Sequence, residues 1–200
     1  MVSALPTQIP NSPQSFNVVL ATGSSDFWIT SDGCTTCARN TPHFNNVSST
    51  FQVVKDSAGQ QVRYTIPYTD GIVEGYLVRD TVSMGGFQAQ NHSWFLIDKT
   101  SVSLKGSNAG IMGLAFDAIS SPGTTPFWQT IANGNKLTTP EMSFWLTRRL
   151  GDPNAQEEES GGIFTLGGRN QSLYTGNVEF LPLVTVLDKR AWWLLNMSSM

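Results

Sequence analysis

The stretch from Val18 to Trp28, VVLATGSSDFW, has the composition of a catalytic loop in which one residue has been exchanged. An apolar run ends at position 21, and small or hydroxyl-bearing residues follow it directly. A carboxylate at position 21 would be followed by Gly23, which permits a sharp turn, and by Ser24, whose hydroxyl can donate a hydrogen bond. Such donors keep a carboxylate ionised and oriented. Ala21 gives them nothing to hold, so the surroundings fit an aspartate that is absent.

The other acidic residues near this loop or the following hairpin are not predicted to replace that carboxylate. Asp26 lies past the turn and is expected to point elsewhere. Asp32 belongs to the loop that carries the cysteines. Asp70 falls at a hairpin tip, where contact with a ligand is more plausible than acid catalysis. Asp80 is expected to have a surface or hydrogen-bonding role, as most charged residues do.

A long β-hairpin is predicted from residue 62 onwards. The run VRYTIPY (62–68) alternates, a short turn follows at residues 69–71, and a second apolar run covers residues 72–84. Pro67 lacks an N–H group for a ladder hydrogen bond, so its strand should be an edge or free-standing strand. One face is predicted to carry Val62, Tyr64, Ile66 and Tyr68.

The remaining pattern predicts a mostly β fold with few helices. A single helix is expected in TTPFWQTIANG, with Thr125 as its cap, Pro126 in its first turn and Asn133–Gly134 at its end. GDPNAQEEESGG (151–162) reads as a solvated acidic loop. Further strands are predicted at residues 92–97, 109–116, 142–150, 161–168 and 177–183.

Length and composition limit the classes of function. The chain has 200 residues, which suits one domain or one large lobe, and its 40% hydrophobic content allows a sizeable core. The net charge is −3 with no basic cluster, so nucleic acid is not an expected partner. The apolar runs are too short to cross a bilayer, so no membrane partner is expected. The lack of a G-x-S-x-G motif leaves a serine hydrolase unsupported.

Cys34 and Cys37 form a CTTC motif that has three interpretations. A zinc site needs about four ligands, and the chain offers only these two together with the separated His43 and His92, which are expected at the surface. A redox motif should open a helix after a strand, whereas SDGCTTC reads as a polar loop. A small loop disulfide is favoured. No metal or cofactor is predicted.

Export is suggested by an excess of glycosylation sequons. They begin at Asn46, Asn91, Asn170 and Asn196. The start, MVSALPTQIP, lacks the basic and apolar regions of a signal peptide. The predicted location is therefore secreted, extracellular or vacuolar, for a mature or trimmed chain that carries glycans.

Four segments resemble the pepsin-like aspartic endopeptidases, in family order from about residue 9 to residue 193. ATGSSDFW is similar to the Asp-Thr-Gly-Ser-Ser-X-X-Trp motif, with Ala21 in place of Asp. IPYTDG…EGYLVRDTVSMGG resembles the flap hairpin, and Tyr68 matches its tyrosine. AGIMGLAF resembles the strand and turn that run beside the catalytic loop. GGIFTLGGRNQSLYTGNVEFLPL resembles the stretch that leads towards a second lobe.

The resemblance implies a fold and a mechanism. Family enzymes have two similar lobes, each donating one Asp to a shared cleft, and the two carboxylates position a water that attacks a peptide bond. Residues 1–184 would form one such lobe, barrel-like with a flap, and residues 185–200 would begin the connection to an absent second lobe. The implied catalytic positions are Ala21, Thr22, Gly23 and Ser24, and the implied substrate-binding residues are Trp28, Tyr68, Thr69, Asp70 and Ile111.

Three departures qualify the resemblance. Ala21 replaces the aspartate, no second Asp-Thr-Gly occurs, and residues 10–12 (Pro-Asn-Ser) stand where Gly-Thr-Pro is expected. We therefore expect a single inactive lobe that still binds peptide or protein substrates. Ala21 would then be an introduced replacement. The alternative is a natural non-catalytic relative that acts as a binding protein. A bare inter-lobe surface predicts a homodimer or a complementary lobe.

Overall fold

The computed structural model describes residues 14–38, 42–45, 47–147, 151–155 and 161–197, and the backbone of two short strands before them. Within these residues the fold is mostly β, as predicted. The strands are β1 (Val2–Ser3), β2 (Thr7–Gln8), β3 (Ser15–Ala21), β4 (Phe27–Thr30), β5 (Gln52–Val53), β6 (Arg63–Tyr68), β7 (Gly71–Met84), β8 (Phe87–Thr100), β9 (Asn108–Gly113), β10 (Met142–Leu146) and β11 (Gly162–Leu166). The helices are α1 (Phe127–Asn133) and two 3₁₀ turns, Asp117–Ile119 and Gln171–Leu173.

The main sheet closes on itself into a barrel. The strands follow the order β3-β2-β7-β8-β4-β9, and β9 returns to pair in parallel with β3. The β4–β8 pair is also parallel, and the others along this path are antiparallel. The barrel-like lobe expected from the sequence is confirmed. Closure brings the ends of β3 and β9, which are far apart in the chain, side by side.

The strands at the centre of this barrel are buried on both faces, which explains their continuous apolar runs. Val18 and Leu20 enter one hydrophobic cluster, whereas the intervening Val19 enters a second one with Ala21 at its margin. The same alternation sends Trp28 to the second cluster. The second cluster lies under the hairpin of β6 and β7, because Ile66 and Val73 belong to it.

The predicted hairpin is present and its faces are as expected. β6 pairs with β7 along its whole length, from Arg63 opposite Tyr76 to Tyr68 opposite Gly71. Among the described residues β6 pairs with no other strand, which agrees with the edge position expected from Pro67. We call β6, the turn and residues 71–76 the flap hairpin.

A second, two-stranded sheet consists of β10 and β11. The strand predicted at residues 177–183 is wrong, because those residues form no strand. Phe180 is 68% exposed and Leu181 is 55% exposed. An apolar stretch becomes a strand only when a neighbouring strand pairs with its backbone, and no described strand pairs with this one.

Two further expectations are corrected. Pro126, not Thr125, is the cap residue of α1, and no side chain caps the helix. His92 is buried rather than at the surface, because its ring packs between Phe27 and Phe127.

Some sequence predictions fall on residues that the structure does not describe. They are residues 9–13, Asn46, residues 148–150 and residues 156–160. In the described part of the chain, no helix is both long and apolar enough to cross a membrane.

Candidate functional site

The loop that follows β3 is crossed by the end of β9. Ala21 pairs with Gly113, and the Leu114 N–H donates to the Ala21 carbonyl at 2.8 Å. The Ala115 N–H donates to the Ser24 carbonyl at 2.9 Å. These backbone bonds fix the loop on both sides of its turn. The segment AGIMGLAF therefore runs beside the loop, as the resemblance implied.

The crossing requires a glycine at position 113 and not at position 23. A Cβ atom on Gly113 would lie 2.3 Å from the Ser25 carbonyl carbon and 2.6 Å from the Asp26 nitrogen. Gly23 is different, because a Cβ there would meet nothing within 4 Å and its φ is not positive. The expectation that Gly23 permits the turn by its conformational freedom is therefore wrong.

Position 21 and the flap hairpin pack on the same hydrophobic cluster. The side chains of Ala21 and Tyr68 both pack against the second hydrophobic cluster, which includes Trp28 and Ile111. Ile111 is opposite Trp28 in the β4–β9 pairing, so these two residues lie side by side under the hairpin. The loop residue and the flap tyrosine that the sequence singled out thus pack on the same cluster.

Tyr68 is bonded to Trp28. The Trp28 indole N–H donates to the Tyr68 hydroxyl at 2.8 Å, and the two rings meet edge to face with centroids 6.3 Å apart. Burial raises the pKa of Tyr68 to about 12, while the Trp28 hydrogen bond acts in the opposite direction. The phenol therefore stays neutral and keeps its own proton available for donation.

Ser24 has a buried hydroxyl without a partner. Its Oγ atom forms no hydrogen bond of good geometry among the described residues, although it lies close enough to the Tyr68 phenol for a side-chain hydrogen bond that lowers the pKa of Tyr68. A buried polar group that lacks a partner is costly, and most such groups are paired. A carboxylate on residue 21 would supply an acceptor in this part of the loop. This observation fits an aspartate site that holds alanine.

The turn of the flap hairpin is exposed at Thr69 and Asp70. Gly71, which follows them, has a φ of 156°, as expected for a glycine in the turn. Ser101 supports the hairpin from below, because its Oγ accepts from the Ile72 N–H at 2.9 Å. The exposed turn residues can therefore contact a ligand while the adjacent backbone at Ile72 is held.

Asp26 is engaged by the segment that follows β9, which agrees with the expectation that it does not replace the carboxylate at position 21. Its carboxylate accepts from the hydroxyls of Ser120 and Ser121, both at 2.9 Å. Burial raises the pKa of Asp26, and these hydrogen bonds offset part of that rise. Asp26 thus ties the loop to the segment that follows β9.

Asp80 belongs to a separate buried cluster. Its carboxylate accepts from the Ser48 hydroxyl at 2.9 Å, from the Thr50 hydroxyl and from the Thr81 N–H. The hydrogen-bonding role is confirmed, whereas a surface position is wrong, because Asp80 is fully buried. The backbone pairs Asp80 with His92 across β7 and β8.

The predicted disulfide is present between Cys34 and Cys37. It closes a loop that touches the end of β8, because the Thr36 hydroxyl accepts from the Thr100 N–H at 2.7 Å. In the described part of the chain, no group of three or more His, Cys, Asp or Glu residues is arranged to hold a metal ion.

Three residues that the sequence interpretation missed also contact the site. The Ala191 carbonyl accepts from the Phe116 N–H at 3.2 Å. The Trp192 indole N–H donates to the Gly23 carbonyl at 3.2 Å, and the Trp193 indole N–H donates to the Leu114 carbonyl at 2.8 Å. The adjacent tryptophans of AWWLL were the only signal in the sequence that could have pointed to these contacts.

The family is decided by a comparison that covers nearly the whole chain. The sequence profile described as "Eukaryotic aspartyl protease" matches residues 4–200. The chain belongs to the eukaryotic aspartyl protease family. The loop at position 21, the strand that crosses it and the flap hairpin are therefore the parts of an aspartyl protease lobe.

Relatives within the eukaryotic aspartyl proteases are considerably longer. The chain is 34% identical to Major aspartyl peptidase 1 of Cryptococcus neoformans var. grubii, over 94% of this chain and 37% of the relative. It is 28% identical to Procardosin-B of Cynara cardunculus, over 93% and 35%, and 30% identical to Vacuolar aspartic protease of Candida albicans, over 93% and 42%. The chain thus spans less than half the length of these relatives.

Proposed function

We propose that this chain is an inactive lobe of an aspartic-type endopeptidase that still binds an extended peptide between position 21 and the flap hairpin. The observation that carries the proposal is Ala21 packed on the same cluster as Tyr68, beside a buried Ser24 hydroxyl that lacks a partner. The scaffold of the site is preserved while the chemical group at its focus is missing.

The absence of a carboxylate at position 21 accounts for the proposed inactivity. A methyl group accepts no proton, so Ala21 does not activate a water for attack on a peptide carbonyl. Removing an essential member of a catalytic unit lowers the rate by about 10⁴ to 10⁶. Asp26 does not compensate, because its carboxylate is engaged by Ser120 and Ser121.

Peptide binding needs only groups that are still present. Tyr68 is held in place by Trp28, and the exposed turn beyond it is free to meet a ligand. An extended peptide under the flap hairpin would bind by strand-like backbone hydrogen bonds, with water excluded. The proposed substrate-binding residues are Trp28, Tyr68, Thr69, Asp70 and Ile111, and the proposed loop positions are Ala21, Thr22, Gly23 and Ser24.

We also propose that a second protein surface covers the β10–β11 side of the lobe. Trp145 is 43% exposed and Leu146 is 58% exposed on β10, and Phe180 is exposed beside them. Exposed apolar surface of this kind is typical of an interface. A second copy of the chain or a complementary lobe would fill this role. Residues 1–184 remain our proposal for the lobe and residues 185–200 for the start of the connection.

A secreted or vacuolar location is proposed for this lobe. Support comes from the disulfide, which persists in oxidising compartments, and from a relative named Vacuolar aspartic protease. Asn91 is an exposed sequon residue and is available to a glycan.

The binding part of the proposal is tested by titrating a fluorescent unstructured peptide library into the 200-residue chain. We expect binding that Tyr68→Ala weakens by about tenfold or more, since a large aromatic contact would be lost. Tyr64→Ala is the matched control, because Tyr64 lies on the same face of β6 but packs on Phe95. Absence of binding, or equal loss in both variants, would contradict the proposal.

The catalytic part is tested by digesting a denatured protein at acid pH over a range of chain concentrations. The unchanged chain should give no cleavage above the blank, and cleavage by it would refute the proposed inactivity. Ala21→Asp should cleave at high concentration if two copies rebuild a symmetric pair of carboxylates. Persistent inactivity of Ala21→Asp, with peptide binding retained, favours the alternative of a natural non-catalytic binding protein.

A further inference from the structure

We propose that Trp193 is a positioning residue that fixes the backbone of residue 21 through Leu114. The Trp193 indole N–H donates to the Leu114 carbonyl at 2.8 Å. The Leu114 N–H in turn donates to the Ala21 carbonyl at 2.8 Å. Leu114, which directly follows β9, therefore connects Trp193 to the backbone of residue 21.

The ring of Trp193 is fixed by two other aromatic rings. Its centroid lies 4.7 Å from that of Phe116 and 5.6 Å from that of Trp128. Backbone hydrogen bonding restrains the same segment, since the Ala191 carbonyl accepts from the Phe116 N–H. The indole donor is therefore held in place towards Leu114, which is itself fully buried.

The carbonyls that follow β9 are occupied one after another by side-chain donors. Leu114 accepts from Trp193, Ala115 accepts from the Trp128 indole at 3.0 Å, and Phe116 accepts from the Ser25 hydroxyl. Each bond removes a backbone rotation that would shift the crossing strand. Trp193 bonds the carbonyl of Leu114, the residue whose N–H donates to Ala21.

A purely packing role makes a different prediction from a positioning role. Trp193 is 39% exposed, so a phenylalanine ring would still cover Phe116 and Trp128. Only the indole N–H of this side chain can donate a hydrogen bond to the Leu114 carbonyl. Trp193→Phe therefore removes the hydrogen bond while it keeps most of the ring contact.

The experiment measures amide hydrogen exchange and methyl chemical shifts by NMR in the 200-residue chain. In Trp193→Phe the Leu114 amide should exchange at least about fivefold faster, because a buried carbonyl loses its partner and the local segment opens more easily. The Ala21 methyl resonance should shift as well. Amides of β7 and β8 should exchange no faster than the change in the free energy of global unfolding predicts.

Trp94→Phe is the matched control. The Trp94 indole is buried and has no hydrogen-bond partner among the described residues. This variant should lower stability without a selective effect on Leu114. If both variants accelerate the Leu114 amide equally relative to global stability, the proposal is wrong.

A measurement on the unaltered protein covers the case in which Trp193→Phe does not fold. The Trp193 indole proton should exchange at least about fivefold more slowly than that of free tryptophan, because it is hydrogen bonded. Exchange at the free rate would overturn the proposal. Any effect of Trp193→Phe on peptide affinity would depend on the proposed function. Neither exchange measurement depends on it. A failure of peptide binding and a failure of positioning are thus distinguished.

Discussion

The barrel and the β10–β11 side of the molecule use apolar residues in opposite ways. In the barrel, Leu20, Trp28 and Met112 are nearly or completely buried. On the other side, Leu146 and Phe180 are more than half exposed, and a cavity of about 390 Å³ lies beneath β10 and β11. The barrel is complete as a packed body, whereas the second region leaves large apolar side chains exposed. The site lies on the barrel, and Trp193, which also lines that cavity, connects the two regions.

The largest expected effect tests the packed region at its closest contact. Gly113→Ala places a methyl group against the backbone of Ser25 and Asp26, and should lower the free energy of unfolding by about 3 kcal/mol or more. Gly23→Ala meets open space and should change it by about 0.5 kcal/mol or less. Urea unfolding of both variants makes the measurement. Similar losses in the two would show that the crossing is not tightly packed.

The second prediction concerns acid and the barrel core. Burial lowers the pKa of His92 to about 4, from an ordinary value of 6.5. The unfolded chain therefore binds a proton that the folded chain refuses, and stability is fully present above about pH 6.5 and is lost as the pH falls towards 4. The loss is about 3 kcal/mol for a shift of this size. The raised pKa of Asp26 acts in the opposite direction, adding stability as the pH falls through its folded value.

This pH dependence is measured by unfolding at a series of pH values between 7 and 4. His92→Leu should flatten the curve, because it removes the group that titrates. Asp26→Asn should steepen the loss at the acid end, because it removes the opposing contribution. An unchanged curve in His92→Leu would exclude His92 as the cause.

A smaller effect is expected at the contact between the barrel and the flap hairpin. Tyr68→Phe leaves the buried Trp28 indole without its acceptor and should cost about 1–2 kcal/mol. Tyr64→Phe, on the same face of β6, should cost less, since its ring contact with Phe95 is retained. Thermal unfolding followed by tryptophan fluorescence compares the two. Equal effects would argue against a specific role for the Tyr68 hydroxyl.

The smallest effect on stability is expected in the exposed region, where a change in association takes its place. Leu146→Ser and Leu181→Ser should each alter unfolding by about 0.5 kcal/mol or less. Both should weaken self-association in sedimentation equilibrium. If the unchanged chain stays monomeric at high concentration, pairing of two copies is excluded.

The sequence predicted those parts of the fold that depend on local patterns. The alternation from Val62 to Tyr68 and the glycine at position 71 were sufficient for the flap hairpin. The motif at position 21 was recognisable because its residues are adjacent in the chain. The approach of Ala21 to Tyr68 was expected from the family resemblance, and in the structure both residues pack on the same hydrophobic cluster.

The parts that sequence reasoning missed depend on partners that are distant in the chain. His92 looked like a surface residue because its aromatic neighbours, Phe27 and Phe127, belong to other elements. The strand expected at residues 177–183 was inferred from β propensity, which does not supply a pairing partner. Trp193 carried no motif, and only its hydrogen bond to Leu114 shows its place beside the site.

The crossing of β9 over the loop at position 21 has a consequence for the order of folding. The bonds around this loop join residues remote in sequence: Ser25 and Phe116 are 91 positions apart, and Trp192 and Gly23 are 169 apart. Contacts of such high sequence separation require closure of long loops, which makes folding slow. A nascent chain that ended before Asn108 would contain the whole Ala-Thr-Gly-Ser-Ser motif and none of the strand that shapes it.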